Sequence, residues 1–213
     1  MAHFTTAFLL FALAFCLSVE AQETPVQKTS KAAVSYGLVV DNSGSFRPLL
    51  DRVITVVSDV VEGNSPEDEA FLVTFVDTPK IVLRQEFTSR KADIHDAAQN
   101  MFIEGGQTAI LDAVKVSADY LSKNARSDEG RLRALVLVTD GEDRESGAKV
   151  EDVIKLLKEQ NIRVFVVAMA DGKITGKLID RLTKETGGKK VTPRTKAEMT
   201  AAVEEISVAI RSK

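Results

Sequence analysis

The segment Val39-Val40-Asp41-Asn42-Ser43-Gly44-Ser45 is the most informative part of the sequence, because an apolar run ends there in an acid and two hydroxyls on alternate residues. An apolar run of this kind is typical of a strand that is buried on both faces, as in a parallel sheet. The residues just beyond the carboxyl end of such a strand line the crevice where open α/β sheets bind ligands. Gly44 lets the backbone turn there without a steric penalty. Asp41, Ser43 and Ser45 therefore bring one carboxylate and two neutral oxygens into that crevice, and Mg²⁺ prefers oxygen ligands of this kind.

The chain has the length and composition of one ordinary globular domain. Its 213 residues and mass of 23.2 kDa suffice for a substantial core. Hydrophobic residues make up 44% of the chain and charged residues 28%, which are ordinary proportions. The formal net charge is −3 and no block of Lys and Arg stands out. Neither nucleic acid nor an anionic membrane surface is therefore indicated as a partner.

The amino terminus has the pattern of a secretory signal peptide. Residues 4–19 are apolar apart from two threonines and one serine, and Ser18-Val19-Glu20-Ala21 favours cleavage after Ala21. We therefore predict a signal peptide over 1–21, a linker over 22–32 and a domain over 33–213, with the mature chain secreted or periplasmic. Met1-Ala2-His3 lacks the usual Lys or Arg. A short uncleaved membrane anchor is the alternative, although the run falls short of the ~20 residues that a spanning helix needs.

The sole cysteine, Cys16, lies inside this predicted signal peptide. The mature chain would then contain no cysteine. It would form no disulfide and offer no thiolate ligand to a metal.

Strands and helices alternate along the predicted domain. Continuous apolar runs predict buried strands at Val34–Asp41, Ala70–Val76, Leu135–Val138 and Val164–Met169, and helical periodicity is clearest at Lys91–Phe102, Gly147–Gln160 and Thr195–Ile210. Ile81–Phe87 alternates apolar with polar residues and follows the second strand too closely for a crossover, so we expect an antiparallel edge strand. The fold class is α/β, with a doubly wound, mostly parallel sheet and helices on both faces.

Two further polar positions are expected at the same crevice. Thr108 precedes a predicted helix, and Asp140 follows the predicted strand Leu135–Val138. Together with Asp41, Ser43 and Ser45 they offer two carboxylates and three hydroxyls, enough to hold Mg²⁺ with water in the remaining positions. Two aspartates just neutralise a divalent ion. Such an ion stays electrophilic and favours a carboxylate from outside, such as a partner's Asp or Glu.

Three motifs resemble those of von Willebrand factor type A domains. Asp41-Asn42-Ser43-Gly44-Ser45 is similar to their D-x-S-x-S motif, Gly105-Gly106-Gln107-Thr108 to their G-G-x-T loop, and Thr139-Asp140-Gly141-Glu142 to their T-D-G-x loop. The resemblance implies a metal ion-dependent adhesion site. Its ligands would be Asp41, Ser43, Ser45, Thr108 and Asp140, directly or through water. It further implies a non-enzymatic domain that binds Mg²⁺, with Mn²⁺ or Ca²⁺ also possible, and a protein or peptide partner that offers an Asp or Glu carboxylate.

Several of these residues have a purely structural alternative. Asp41 and its serines, and Thr108, are also favoured as turn and helix-capping residues. Glu142 and Asp143 form either an acidic rim or solvated turn residues, and we favour the turn. Asp77 either supports the site indirectly or belongs only to a hairpin turn, which we favour.

The enzymatic alternative is a Mg²⁺-dependent phosphotransfer domain of receiver or haloacid-phosphatase type that uses Asp41. Such sites need further acids and a lysine at a strand end. Ser43 occupies the place where the phosphatase pattern requires a second acid, and Met169-Ala170-Asp171 supplies no lysine.

Overall fold

The computed structural model describes Met1 and residues 32–170, 172, 174 and 176–212. Strands and helices alternate in this part of the chain, as predicted. The strands are β1 (Val34–Asp41), β2 (Glu69–Phe75), β3 (Ile81–Thr88), β4 (Leu132–Thr139), β5 (Ile162–Ala168) and β6 (Lys190–Val191). The α-helices are α1 (Leu50–Glu62), α2 (Lys91–Gln99), α3 (Ile110–Asn124), α4 (Val150–Glu159), α5 (Lys177–Thr186) and α6 (Lys196–Ala209). Short 3-10 helices cover Gly44–Leu49 and Thr78–Lys80.

These strands form one sheet in the order β3-β2-β1-β4-β5-β6. Every neighbouring pair is parallel except β2 and β3, which are antiparallel. The predicted fold class is therefore confirmed, including the antiparallel edge strand. β1 and β4 are neighbours, and their register pairs Val40 with Val138. Asp41 and Thr139 consequently end these two strands side by side, and Asp140 follows at once.

The sheet is covered on both faces, and this explains why its central strands are continuously apolar. All residues of β1 and β2 are buried. One apolar cluster joins a face of the sheet to α1, α2 and α6, and a second joins the opposite face to α3, α4 and α5. Thr195 and Glu198 form the capping box that begins α6, as their spacing indicates.

Two helices are shorter than predicted. The helix expected over Lys91–Phe102 ends at Gln99, so Phe102 lies on the irregular segment that leads to α3. The helix expected from Gly147 begins at Val150, because the amide groups of Gly147 and Ala148 bond to the side chain of Asp112 instead.

The predicted signal peptide and linker lie outside the described residues, apart from Met1 and residue 32. Within the described part of the chain, no helix combines the length and hydropathy needed to cross a membrane.

Candidate functional site

The five predicted site residues lie at the carboxyl ends of β1 and β4 and on the segment before α3. Asp41, Ser43 and Thr108 are buried, with exposed fractions of 1%, 2% and 6%. Ser45 is exposed in the first turn after β1, and Asp140 is half-buried. The set therefore runs from the interior of the crevice to its surface.

Three hydroxyls from two distant segments meet beside the end of β1. The Oγ atoms of Ser43 and Ser45 are 3.2 Å apart, and the Thr108 hydroxyl reaches Ser43 Oγ at 3.5 Å. Ser43 begins a 3-10 helix without a side-chain capping bond. The residue that caps α3 is Ala109, not Thr108. The hydroxyls of Ser43 and Thr108 thus point at each other, and neither serves as a helix cap.

Asp41 is a buried carboxylate that accepts only neutral hydrogen bonds from the described residues. The backbone N–H of Ser43 donates to its Oδ1 at 3.0 Å, and the Thr139 hydroxyl donates to its Oδ2 at 3.1 Å. Burial raises the pKa of Asp41 to about 6, hydrogen bonds from Ser43 and Thr139 oppose the rise, and the nearby charge of Asp140 adds to it. The hydrogen bond from the Ser43 N–H also stabilises the turn that follows Asp41. The alternative in which Asp41 is a turn residue is therefore correct in part.

Thr139 is a site residue that sequence reasoning missed. Its side chain is fully buried, donates to Asp41 and accepts a hydrogen bond from the Gly141 N–H at 3.1 Å. It therefore joins the end of β1 to the turn that carries Asp140. Its place directly before Asp140, at the end of a buried strand, is the signal in the sequence that could have identified it.

The Gly105–Thr108 segment is held in place by hydrogen bonds with residues that follow β2. Ala109 N–H donates to Val76 O at 2.7 Å, and Lys80 Nζ donates to Gly105 O at 2.9 Å. Gly106 has φ +150°, and a Cβ there would lie 2.6 Å from Val76 Cγ1 and 3.0 Å from Asp77 Oδ2. Only glycine suits this position. Asp77 thus packs against the segment that carries Thr108, in addition to its role in the turn after β2.

The loop after β4 is bound to the start of α3. Arg144 N–H and Glu145 N–H both donate to Thr108 O, at 2.8 and 3.3 Å. The carboxylate of Asp143 accepts the Ile110 N–H at 2.8 Å and the Ser146 hydroxyl at 2.6 Å. The interpretation of Asp143 as a solvated turn residue is therefore wrong. Glu142 is half-exposed and pairs with Arg144.

Asp143→Ala should lower the free energy of unfolding by about 1–2 kcal/mol, because it leaves the first amide of α3 without its acceptor. The measurement is urea unfolding of both proteins at pH 7. Glu142→Ala, on the same loop, is the matched control and should change stability by less than about 0.5 kcal/mol. Equal losses in the two variants would show that Asp143 does not hold the loop against α3.

The negative charge of the site has no cationic partner among the described residues. The hydrogen bonds to Asp41 and Asp140 come from backbone amides and one hydroxyl, and neither acid forms an ion pair in that part of the chain. No group of three or more acid, His or Cys side chains lies in a metal-binding arrangement within those residues. The donor set is instead two carboxylates and three hydroxyls, which suits a hard divalent cation.

Comparison with known families gives a match over most of the domain. The model of the von Willebrand factor type A domain matches residues 37–207. This chain belongs to that family. No curated protein matches the sequence significantly. Von Willebrand factor type A domains typically mediate protein interactions and adhesion and are generally not enzymes.

Solved structures share the fold of this von Willebrand factor type A domain. An aerotolerance-related membrane protein from Bacteroides fragilis, with multiple mutations to serines, is 20% identical with a TM-score of 0.69, and the match covers 83% of this chain and 98% of that one. BatB, a conserved hypothetical protein from Bacteroides thetaiotaomicron, is 19% identical with a TM-score of 0.67, covering 84% and 100%. A von Willebrand factor type A protein from Catenulispora acidiphila is 14% identical with a TM-score of 0.70, covering 84% and 43%. At these identities the likeness concerns the fold alone.

Proposed function

We propose that this chain is an exported, non-enzymatic von Willebrand factor type A domain that binds a protein or peptide partner in a divalent-metal-dependent manner. Asp41, Ser43, Ser45, Thr108 and Asp140 would hold Mg²⁺, with Mn²⁺ or Ca²⁺ as substitutes, directly or through water. When bound, the ion would supply an electrophilic position for an Asp or Glu carboxylate of the partner. The proposal includes no nucleic acid and, after cleavage of the signal peptide, no membrane.

One observation carries the proposal. Ser43 Oγ lies 3.2 Å from Ser45 Oγ and 3.5 Å from the Thr108 hydroxyl, Asp140 is near enough to Asp41 to act on its charge, and no Lys or Arg of the described residues pairs with either acid. Burying a carboxylate without a cationic partner is costly. A bound divalent cation would remove that cost, since two aspartates neutralise it and three hydroxyls add ligands without adding charge.

The phosphotransfer alternative has less support. Such a site needs further acids and a lysine at a strand end, and no lysine of the described residues pairs with Asp41 or Asp140. The family points in the same direction, because its members are generally interaction domains. Incubation with acetyl phosphate should therefore leave no stable phosphate on Asp41.

Asp41→Asn should have opposite effects on stability without and with metal. The pKa of Asp41 in the folded chain, about 6, lies above its ordinary value of 3.8. The folded state therefore loses stability as pH rises between these values, by about 3 kcal/mol at most. In EDTA at pH 7.5 the variant should be as stable as the wild type or more stable, because it lacks this buried charge. With Mg²⁺ the wild-type melting temperature should rise with the logarithm of the free ion concentration, whereas the variant should not respond.

Thermal melts of both proteins across a Mg²⁺ series measure this. Asp59→Asn, an exposed acid on α1, is the matched control and should respond to Mg²⁺ like the wild type. A Mg²⁺ response that survives Asp41→Asn would place the ion elsewhere. Circular dichroism in EDTA confirms that the variant remains folded.

Partner binding is tested with the immobilised chain and extract from the envelope of the source cells. Proteins retained in Mg²⁺ should elute in EDTA, and the folded Asp41→Asn variant should not retain them. If the same proteins are retained in EDTA and by the Asp41→Asn variant, the proposed function is contradicted.

A further inference from the structure

Phe102 is a large aromatic side chain left exposed beside the candidate site. Apart from Met1, the exposed large hydrophobic residues of the described chain are Leu83, Phe102, Val116 and Val208, and Phe102 is 53% exposed. It is the one aromatic residue in that group. Exposed aromatic surface is costly in water and is enriched at the centre of binding interfaces.

The ring of Phe102 is held in place by Arg84 on β3. The guanidinium carbon of Arg84 lies 5.0 Å from the ring centroid, within the range of a cation–π contact. The guanidinium is itself fixed at two points. Its Nε donates to the hydroxyl of Thr74 at 2.8 Å, and its Nη2 donates to Glu104 Oε1 at 2.9 Å. The exposed ring is therefore ordered before any partner arrives, which lowers the entropic cost of using it.

The segment that carries Phe102 is hydrogen-bonded to the residue between two of the proposed metal ligands. Asn42 lies between Asp41 and Ser43, and its Nδ2 donates to Phe102 O at 3.0 Å. Glu104 N–H donates to Asn42 O at 3.0 Å. A partner that reaches the loop after β1 therefore meets the segment with the exposed ring directly beside it.

The charges around the ring do not oppose an acidic partner. Glu104 is the acid next to it, and its carboxylate pairs with Arg84 at 2.9 Å. With that charge neutralised, the ring presents an apolar surface that does not repel a peptide carrying a carboxylate.

We propose that Phe102 is the second contact of the partner site and selects peptides in which an aromatic or aliphatic side chain lies within two residues of the Asp or Glu carboxylate. The inference rests on the proposed function, because it assumes that the carboxylate binds at the Mg²⁺ site. It goes further by naming the class of partner, a peptide with an apolar side chain near its acidic residue. It also names Phe102 as the residue that contacts this apolar side chain.

A random heptapeptide library displayed on phage tests this without knowledge of the natural partner. The full-length chain is immobilised in Mg²⁺, and bound phage are eluted with EDTA. Selected peptides should contain Asp or Glu with an aromatic or aliphatic residue within two positions. On Phe102→Ala the acid should still be selected while the apolar preference disappears, and the best wild-type peptide should bind about tenfold more weakly. Phe102→Leu should restore most of the affinity. Val116→Ala, which removes another exposed hydrophobic side chain on α3, should change nothing.

The possible results distinguish a failure of the role of Phe102 from a failure of the proposed metal-dependent binding. If the peptides eluted by EDTA all contain an acid but show no preference for an apolar neighbour, the role of Phe102 is contradicted and the proposed metal site is not. The same apolar preference on Phe102→Ala would contradict that role as well. If no peptide elutes with EDTA, the proposed function fails and the inference fails with it. Melting temperatures of the variants within about 2 °C of wild type would show that the substitutions act on binding, as expected at exposed positions.

Discussion

Gly188→Ala should destabilise the domain by about 3 kcal/mol or more. Gly188 follows α5 and precedes β6, where the chain passes directly against β5. A Cβ at this position would lie 1.8 Å from the carbonyl oxygen of Val164 and 2.6 Å from its carbonyl carbon. Both are backbone atoms within a paired strand, so neither can move aside as a flexible side chain would. The pairing of β6 with β5 would have to be disrupted. Overpacking usually costs about 1–3 kcal/mol, and a contact this close should reach or exceed the upper end of that range.

Urea unfolding at pH 7 measures the loss. Gly172→Ala is the matched control, because no atom of the described residues lies within 4 Å of the Cβ it would add, and its free energy of unfolding should stay within about 0.5 kcal/mol of wild type. If Gly188→Ala were as stable as Gly172→Ala, the close approach between the segment before β6 and strand β5 would be incorrect.

Arg211→Met should cost about 3–5 kcal/mol at pH 7, because it removes one partner of a buried ion pair. Arg211 Nη2 lies 2.8 Å from Asp68 Oδ2, and the two side chains are only 7% and 1% exposed. The backbone N–H groups of Val34 and Ser65 also donate to Asp68. The pair therefore ties the end of α6 to the loop before β2 and to the start of β1.

The loss should depend on pH. Burial alone would raise the pKa of Asp68, but the hydrogen bonds from Arg211, Ser65 and Val34 outweigh it and hold the pKa below its ordinary value. A lowered pKa in the folded chain means that the stabilisation is fully present above the ordinary pKa of about 4 and is lost as pH falls through the folded value. Arg211→Met and wild type should therefore differ most near pH 7 and converge below about pH 4.

Arg181→Met is the control for this substitution. Arg181 pairs with Glu151 and Glu185 at the surface, with 41% of its side chain exposed, so its loss should change the stability far less than the loss of Arg211 at any pH, because solvent screens such pairs. Chemical unfolding of the three proteins between pH 3 and pH 8 gives the comparison. A loss in Arg211→Met that is small, or constant over this range, would mean that the pair with Asp68 contributes little.

The features that local sequence predicts are those whose partners are near in the chain or repeat with a fixed period. Strand β1 was predicted and is observed over Val34–Asp41, because its apolar run begins and ends sharply. The capping box of Thr195 and Glu198 was predicted and is observed, because both partners lie within one turn. The approach of Ser43 to Thr108 was expected from topology alone, since in a doubly wound sheet the segments that begin the helices lie in the same crevice as the carboxyl ends of the strands.

The features that sequence reasoning missed depend on contacts between distant segments. The spacing of Asp143 is that of a turn residue, yet its carboxylate binds the amide of Ile110, 33 residues away. In the sequence, Phe102 continues the helical periodicity of α2. In the structure the helix ends at Gln99, and the ring of Phe102 is exposed to solvent and contacts Arg84. No local pattern shows that Arg84 also bonds Thr74 on the neighbouring strand. Such contacts follow from the assembled sheet and not from any single segment.

The proposed function requires that one divalent cation is shared by Asp41, Ser43, Ser45, Thr108 and Asp140. Anomalous diffraction from crystals grown in Mn²⁺ tests it most directly, because manganese can be located without assumptions about its ligands. We expect one strong anomalous peak between the hydroxyls of Ser43, Ser45 and Thr108, and no peak there in Asp41→Asn crystals grown in the same way. Crystals with Mn²⁺ bound elsewhere, or with no peak at this position at saturating Mn²⁺, would contradict it.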